Sequence, residues 1–312
     1  MGTPEFAVAS LQAICNSHHE PVAVVTAADK PAGRGKKLRS SAVKDFAVSR
    51  DIPVLQPEKL RDPDFVESLK QLNADVFVVV AFRMLPEVVW SIPKKGTFNL
   101  HGSLLPDYRG AAPINHAIMN DDKESGVTTF LIEKEIDTGN ILFQEKIDID
   151  ADYDAGDLHD KLMELGASLV VKTLDAIEND EIKPTPQAEL KQGDGGYRPA
   201  PKLNRDNCKI DWSQSAASVH NKVRGLSPYP GAYSFLLKQD GTKIQFKILR
   251  TKRTNTKSVV PGQIESDNKH FFQVACNDHF LEIHRLQMEG KRAMNTDEFL
   301  RGYNFEKGDF MS

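Results

Sequence analysis

Asp75-Val-Phe-Val-Val-Val-Ala-Phe82 and Thr97-Phe-Asn-Leu100 are two short runs rich in β-branched and aromatic residues, parted by a proline-containing segment. Runs of this length and composition read as strands buried on both faces, the pattern of a sheet covered by helices. Working toward the N-terminus, Pro21–Ala27 reads the same way, with helix-like stretches at Ser41–Arg50 and Asp64–Asn73 between. Toward the C-terminus, Gly126–Glu133 and Ile141–Ile149 read as further strands flanking a turn at Asp137-Thr-Gly139. A long helix follows, with Leu158, Leu162, Leu165, Leu169, Val170, Leu174 and Ile177 at helical spacing. Strands alternating with helices predict an α/β domain with a mostly parallel sheet.

Periodicity fails from about residue 179 to 204, where Pro, Gly, Lys and Asp accumulate; this reads as a linker. Beyond it come a short helix at Ser213–Arg224 and a turn at Leu226-Ser-Pro-Tyr-Pro-Gly231. Strand-like runs at Ala232–Leu237, Lys243–Leu249, Phe271–Cys276 and Phe280–Leu286 then suggest a small β-barrel. The expected organisation is a first domain over 1–180, a linker over 181–204 and a second domain over 205–312.

A chain of 312 residues is ample for two cores. Its longest strongly apolar run, Val76–Phe82, is far below the ~20 residues a membrane span needs. No basic segment followed by an apolar stretch opens the chain. Cys15, Cys208 and Cys276 are scattered and form no CxxC pair, which argues against a disulfide framework or thiolate zinc site and makes the cytoplasm the default compartment. The net charge of −4 hides an asymmetry: residues 204–312 carry 17 basic against 12 acidic side chains. A modestly basic second part hints at a polyanionic partner, although an ordinary solvated surface accounts for the charge equally well.

No phosphate loop and no GxGxxG after a strand occurs, and the nine histidines include no HExxH, so no metal is expected. The informative stretch is Phe98-Asn-Leu-His-Gly-Ser-Leu-Leu-Pro-Asp-Tyr-Arg-Gly-Ala-Ala-Pro113. If 97–101 is extended, Asn99 and His101 share one face, near the carboxyl end of a strand, where α/β sheets bind ligands. Two hydrogen-bond donors aimed at one point make an oxyanion hole. Taken singly, an Asn or a His there more often caps a turn. Asp137 before Thr-Gly is ordinary turn chemistry unless the fold brings it to His101, where it would hold the imidazole and help move a proton. The basic loop Pro31–Leu38 and the cluster Arg250, Lys252, Arg253, Lys257 read as solvated surface or as contacts to nucleic acid. Trp212 and Tyr229 read as core or hinge packing rather than base-stacking platforms.

These stretches resemble the methionyl-tRNA formyltransferases. The resemblance rests on Met1-Gly-Thr-Pro-Glu-Phe6, Asp29-Lys-Pro-Ala-Gly-Arg-Gly-Lys-Lys-Leu38, Asn99-Leu-His-Gly-Ser-Leu-Leu-Pro106, Arg109-Gly-Ala-Ala-Pro-Ile114 and Asp137-Thr-Gly139. Further on, Arg198-Pro-Ala-Pro-Lys202, Ile210-Asp-Trp212 and Arg224-Gly-Leu-Ser-Pro-Tyr-Pro230 continue it in order along nearly the whole chain. It implies a Rossmann-like formyltransferase fold followed by an OB-like C-terminal barrel that holds tRNA. It further implies transfer of the formyl group of 10-formyltetrahydrofolate to methionine on initiator methionyl-tRNA in translation initiation, with no metal, DNA or membrane partner. Asn99, His101 and Asp137 stand where the family's catalytic trio stands, and Ser103, Leu104, Leu105 and Pro106 match its folate-binding segment. Arg34, with Lys36 and Lys37, sits in the loop used against the tRNA acceptor end.

Two departures stand out. Relatives usually carry an apolar strand before Gly-Thr-Pro, whereas here Met1 directly precedes Gly2, so the first strand is expected to be missing. Ala81-Phe-Arg-Met-Leu-Pro86 also differs from their common Ala-Tyr-Gly pattern. An aminosugar-nucleotide formyltransferase is the nearest alternative, since it shares the Asn, His and Asp, and a catalytically silent folate- or RNA-binding module is the alternative from another class.

Overall fold

The computed structural model describes residues 1–32, 37–190, 197–258 and 260–312. They form two compact units, the first built from Met1–Pro113, Glu124–Asp148 and His159–Pro201, the second from Ile114–Lys123, Ile149–Leu158 and Lys202–Ser312. Two short segments from the first half of the chain thus belong to the second unit, a feature that a linear reading does not anticipate.

The first unit opens with α1 (Glu5–Cys15), an element absent from the sequence-based expectation. Its signal is the spacing of Ala7, Leu11 and Ile14, all buried, with Glu5 at the positive end of the helix dipole. Then come β1 (Val24–Val25), a hairpin of β2 (Lys30–Ala32) and β3 (Lys37–Arg39), and α2 (Ala42–Val48). Ser41 caps α2 by accepting the Lys44 N–H. After β4 (Val54–Leu55), α3 (Pro63–Gln71) starts with Asp62 as cap and Pro63 in its first turn, where a missing N–H costs nothing. β5 (Phe77–Val80), α4 (Glu87–Trp90) and β6 (Thr97–His101) follow. Val25, Phe77 and Val79 pack with Leu60, Phe65, Leu69 and Val89 into one apolar layer.

Pairing is parallel between β1 and β4 and between β5 and β6. Met1 and Gly2 lie between these pairs. The Gly2 N–H donates to Val25 O at 3.0 Å, Val80 N–H donates to Met1 O at 2.9 Å, and Gly2 bridges Val80 in parallel. The Met1 amino group is buried, donates to Val78 O at 2.7 Å, and is pushed by desolvation down to about 5. Beside it lies a cavity of about 370 Å³ lined by Leu11, Ile14, Val25, Leu69, Phe77 and Leu174 among others. On the far side of β6 the sheet turns antiparallel, through β8 (Glu124–Leu131) to β9 (Ile141–Asp148). The short β7 (Arg109–Gly110) precedes α5 (Pro113–Met119), most of which belongs to the second unit.

The 24-residue α6 (Ala155–Glu178) confirms the leucine spacing: Leu158, Leu162, Leu169 and Val170 are fully buried. At Gly166 an added Cβ would lie 2.7 Å from Leu100, so the helix lies flat against β6. The stretch expected as linker carries ordered contacts in this unit. Thr185 bridges Ile141, residues 187–190 form a 3-10 turn, and β10 (Pro199–Ala200) pairs in parallel with β7.

In the second unit, α7 (Ala216–Gly225) is capped by Ser215 and precedes β11 (Ala232–Leu237) and β12 (Lys243–Lys257). β13 (Ile264–Ser266), β14 (Phe272–Ala275), β15 (His279–Met288), β16 (Met294–Asn295), α8 (Thr296–Leu300) and β17 (Phe310–Met311) complete it. The antiparallel order is β13-β14-β15-β12-β11-β17, and a bridge from Gln263 to Phe310 brings the two ends together into a nearly closed barrel. Phe246, Phe272, Leu281 and Leu286 fill it. Arg224, buried in this unit, is held by Asp121 Oδ1 at 2.6 Å, Asn221 Oδ1 at 3.0 Å and Tyr153 O at 3.1 Å. Trp212 is core, as expected, with its indole N–H on Ser234 Oγ at 2.9 Å. Tyr229 is not: it is 80% exposed. Among the described residues no helix is long and apolar enough to cross a membrane.

Candidate active site

β6 lies between β5 and β8, with Asn99 registered against Val79 and Phe130, and His101 against Thr128. Alternation along the strand puts Asn99 and His101 on one face, as the sequence predicts. His101 is buried, and its Nε2 lies 2.8 Å from the Tyr108 carbonyl. A carbonyl only accepts, so Nε2 carries a hydrogen and Nδ1 is the nitrogen left to act. Nδ1 stands 3.9 Å from Asp137 Oδ2. The contact that linear sequence could not establish is therefore present. The geometry also narrows the role of the ring. Its neutral form offers a lone pair at Nδ1, and it donates to an oxyanion from Nδ1 only when protonated, with the Asp137 carboxylate as its counter-charge.

Asp137 is held from several sides. Its φ of 56° is left-handed, a conformation Asp tolerates better than most residues, and Oδ2 accepts the Gly110 N–H at 2.9 Å. Gly110 has φ 124°, and a Cβ there would collide with the Ala200 carbonyl oxygen, so the β7–β10 pairing demands glycine. Gln187 ties the two loops together. Its amide nitrogen donates to the carbonyls of Asp137 (2.9 Å) and Gly139 (2.8 Å), while its oxygen accepts from Arg109 Nε (3.0 Å) and Nη2 (2.6 Å). Arg198 closes the loop from outside, with its guanidinium on Asp107 at 2.7 Å and over the Tyr108 ring at 4.5 Å.

Asn99 Oδ1 is buried without a hydrogen-bond partner among the described residues. An orphaned acceptor in a folded interior is costly and calls for a donor from outside the chain. An amine N–H supplies one, and the Asn99 amide N–H in turn suits a carbonyl oxygen. The residues thus fit the attack of an amine on a formyl group.

The segment 103–106 behaves differently from a row of ligand side chains. Ser103 is fully buried, with its hydroxyl on Asp107 O at 2.7 Å, and Leu105 packs with Phe130 and Ile141. Thr128 Oγ1 donates to Ser103 O (2.6 Å) and accepts from Leu105 N–H (3.1 Å), while Gln144 Nε2 donates to Leu105 O (2.8 Å). These bonds fix the loop's shape and leave Leu104 and Pro106 partly exposed. Of the basic loop, Arg34 and Lys36 lie outside the described residues, and Lys37 opens β3. The cluster Arg250, Lys252, Arg253 and Lys257 is exposed along β12. Tyr108, Gly110 and Gln187 were missed by sequence reasoning. The first two lie in the quoted 98–113 stretch, but nothing in the sequence connects Gln187 to Asp137.

An α/β sheet carrying this trio at its carboxyl edge, followed by a nearly closed barrel, defines a two-domain formyltransferase. The chain matches the formyl transferase family over residues 1–174 and the formyl transferase C-terminal domain over 202–304. It is 48% identical over 306 residues to the methionyl-tRNA formyltransferase of Bacteroides fragilis, covering 97% of this chain and 94% of that one. It is 47% identical over 310 residues to that of Bacteroides thetaiotaomicron, covering 99% and 96%. Among solved structures, an N-formyltransferase from Helicobacter canadensis, in complex with folinic acid and dTDP-3-aminofucose, matches with a TM-score of 0.64 at 24% identity, covering 90% of this chain and 96% of that one. That likeness concerns the fold. The chain belongs to the methionyl-tRNA formyltransferase family.

Proposed function

We propose that this enzyme transfers the formyl group of 10-formyltetrahydrofolate to the amino group of methionine on initiator methionyl-tRNA, in the cytoplasm. The observation that carries the reading is the convergence of Asn99, His101 and Asp137, with an unpaired Asn99 Oδ1 and a free His101 Nδ1 beside a carboxylate. The folate co-substrate supplies a formyl group on a nitrogen that can leave. Asn99 Nδ2–H and protonated His101 Nδ1–H face the formyl oxygen as the amine adds and charge grows there, each donor contributing about 3–4 kcal/mol. Asn99 Oδ1 orients the amine through one of its N–H groups. Asp137 accepts the proton that the amine sheds, and that proton ends on N10 as the C–N10 bond breaks, so charge and atoms balance. Ser103, Leu104, Leu105 and Pro106 contribute a rigid loop wall for the folate, chiefly by backbone shape.

Arg34, Lys36 and Lys37, together with the basic stripe on β12, are assigned to tRNA phosphates. An aminosugar nucleotide as acceptor has no specific support: the sugar-transferring structures share the fold at low identity, whereas the 48% relative is named for Met-tRNA. The deciding assay offers 10-formyltetrahydrofolate with charged initiator tRNA or with an aminosugar nucleotide. Formyl transfer to the tRNA supports the reading, and transfer to the sugar alone defeats it. Binding of folate and tRNA without turnover would favour a silent binding module instead.

A further inference from the structure

The turn after α1 and the last turns of α6 meet in a side-chain cluster that formyl transfer does not use. His18 Nε2 lies 2.7 Å from Glu178 Oε2, and His19 Nε2 lies 2.8 Å from Asp175 Oδ1. His18 Nε2 is also 3.9 Å from Asp175 Oδ1. The ligating atoms of His18, His19 and Glu178 all fall within 4.8 Å of one another. The two rings are 4.1 Å apart and tilted by 37°. Their backbone is fixed: the Ser17 hydroxyl donates to Ile14 O at 2.7 Å and accepts the His19 N–H at 3.2 Å. On the other side, Asp175 and Glu178 are three residues apart on α6 and therefore share a face. Among the described residues the ion-pair partners of these two carboxylates are the histidines; the nearby Lys95 pairs with Asp180 instead.

We propose that His18, His19 and Glu178, with Asp175 beside them, form a surface site for one borderline divalent transition-metal ion, zinc foremost. Two imidazoles and a carboxylate are the donor set such an ion prefers, with water or Asp175 as fourth ligand. Bonds of about 2.0–2.1 Å in a tetrahedron place donor atoms roughly 3.3 Å apart. The 2.7 Å His18–Glu178 and 2.8 Å His19–Asp175 contacts would open slightly to that spacing, and the remaining pairs of the triad, within 4.8 Å, would adjust toward it. The ion would staple the residue 18–19 turn to α6 beside the 370 Å³ cavity that His19 and Glu178 help to line. The role is structural, and the site shares no residue with the formyl-transfer centre. Sequence reading missed it because the ligands are 156 to 160 residues apart and form no motif.

The test uses the full chain without a histidine tag, titrated with ZnCl2 against a chromophoric chelator and melted with and without the ion. One zinc per chain is expected, with a melting temperature raised by a few degrees, and MgCl2 should leave it unmoved. His18→Ala and Glu178→Gln alter side chains 63% and 57% exposed, so both variants should fold, as their metal-free melts would verify. Each should weaken zinc binding about tenfold or more. Cys15→Ser, which removes the nearest thiol in sequence, should not. Absence of zinc binding, wild-type affinity in both variants, or weakening confined to Cys15→Ser would overturn the proposal.

Discussion

His101 Nδ1 stands 3.9 Å from Asp137 Oδ2, while the opposite ring nitrogen is tied at 2.8 Å to the Tyr108 carbonyl. The first separation is too long for a direct hydrogen bond and short enough for a strong field between a carboxylate and a protonated ring. A reacting nitrogen or oxygen can therefore touch both groups at once. Asp137→Asn keeps an acceptor for the Gly110 N–H and tolerates the left-handed backbone, yet removes the charge. The variant should melt near wild type, with kcat lower by about 10²–10⁴-fold and little change in KM for folate. Steady-state kinetics showing an unaltered kcat would take Asp137 out of the reaction.

Gln187 acts one step back from the substrates, positioning Asp137 and Arg109 through four hydrogen bonds. Gln187→Ala removes the side-chain donor from the part-buried Asp137 carbonyl and the buried Gly139 carbonyl, at a cost of about 1–3 kcal/mol each at most. Both melting temperature and kcat should fall, kcat by about tenfold, while KM for tRNA stays close to wild type. A normal kcat would mean that the Asp137 turn holds its place without this residue.

His220 on α7 makes the second unit sensitive to acid. Burial, reinforced by the charges of Arg224 and Arg253, holds its imidazole down to about 4, and Nδ1 lies 2.8 Å from Thr251 Oγ1. The unfolded chain takes up this proton near 6.5, whereas the folded chain resists until about 4. Stability from this group is therefore complete above roughly pH 6.5 and drains away as pH falls toward 4, by on the order of 2–3 kcal/mol. Thermal melts across that window should show a shallower decline in His220→Gln. Identical slopes in the two proteins would assign the acid sensitivity elsewhere.

How much of this was legible in the sequence depends on range. The strands at 77–80 and 97–101, α2, α3, α6 and the barrel strands follow local pattern, because a period of two or 3.6 is written within a few residues. Length was less legible: Lys243–Leu249 reads as a strand, yet β12 continues to Lys257 across register shifts after Ile248, Arg250 and Arg253, where exposed charges mask the alternation. The face shared by Asn99 and His101 was readable from alternation alone. Its completion was not, since Asp137, Gln187 and β10 reach it only through tertiary pairing.

The basic stripe on β12 gives a prediction about the larger substrate. Lys252 and Lys257 are exposed and pair in register with Glu282 and His279 on β15. Lys252→Glu with Lys257→Glu should raise KM for tRNA and leave kcat at saturation unchanged. The salt dependence of tRNA affinity should become shallower, by about one in slope for each phosphate that the variant no longer neutralises. A slope equal to wild type would place the tRNA-binding face on another surface.

Asn99, whose buried oxygen has no partner among the described residues, is the residue proposed to meet the reacting formyl group and amine together. Single-turnover formyl transfer from 10-formyltetrahydrofolate to charged initiator tRNA measures this directly, comparing wild type with Asn99→Ala. The expected rate is lower by about a hundredfold or more, with the melting temperature preserved or raised, because an orphaned polar atom has been removed. A folded Asn99→Ala protein that transfers formyl at the wild-type rate would contradict this role.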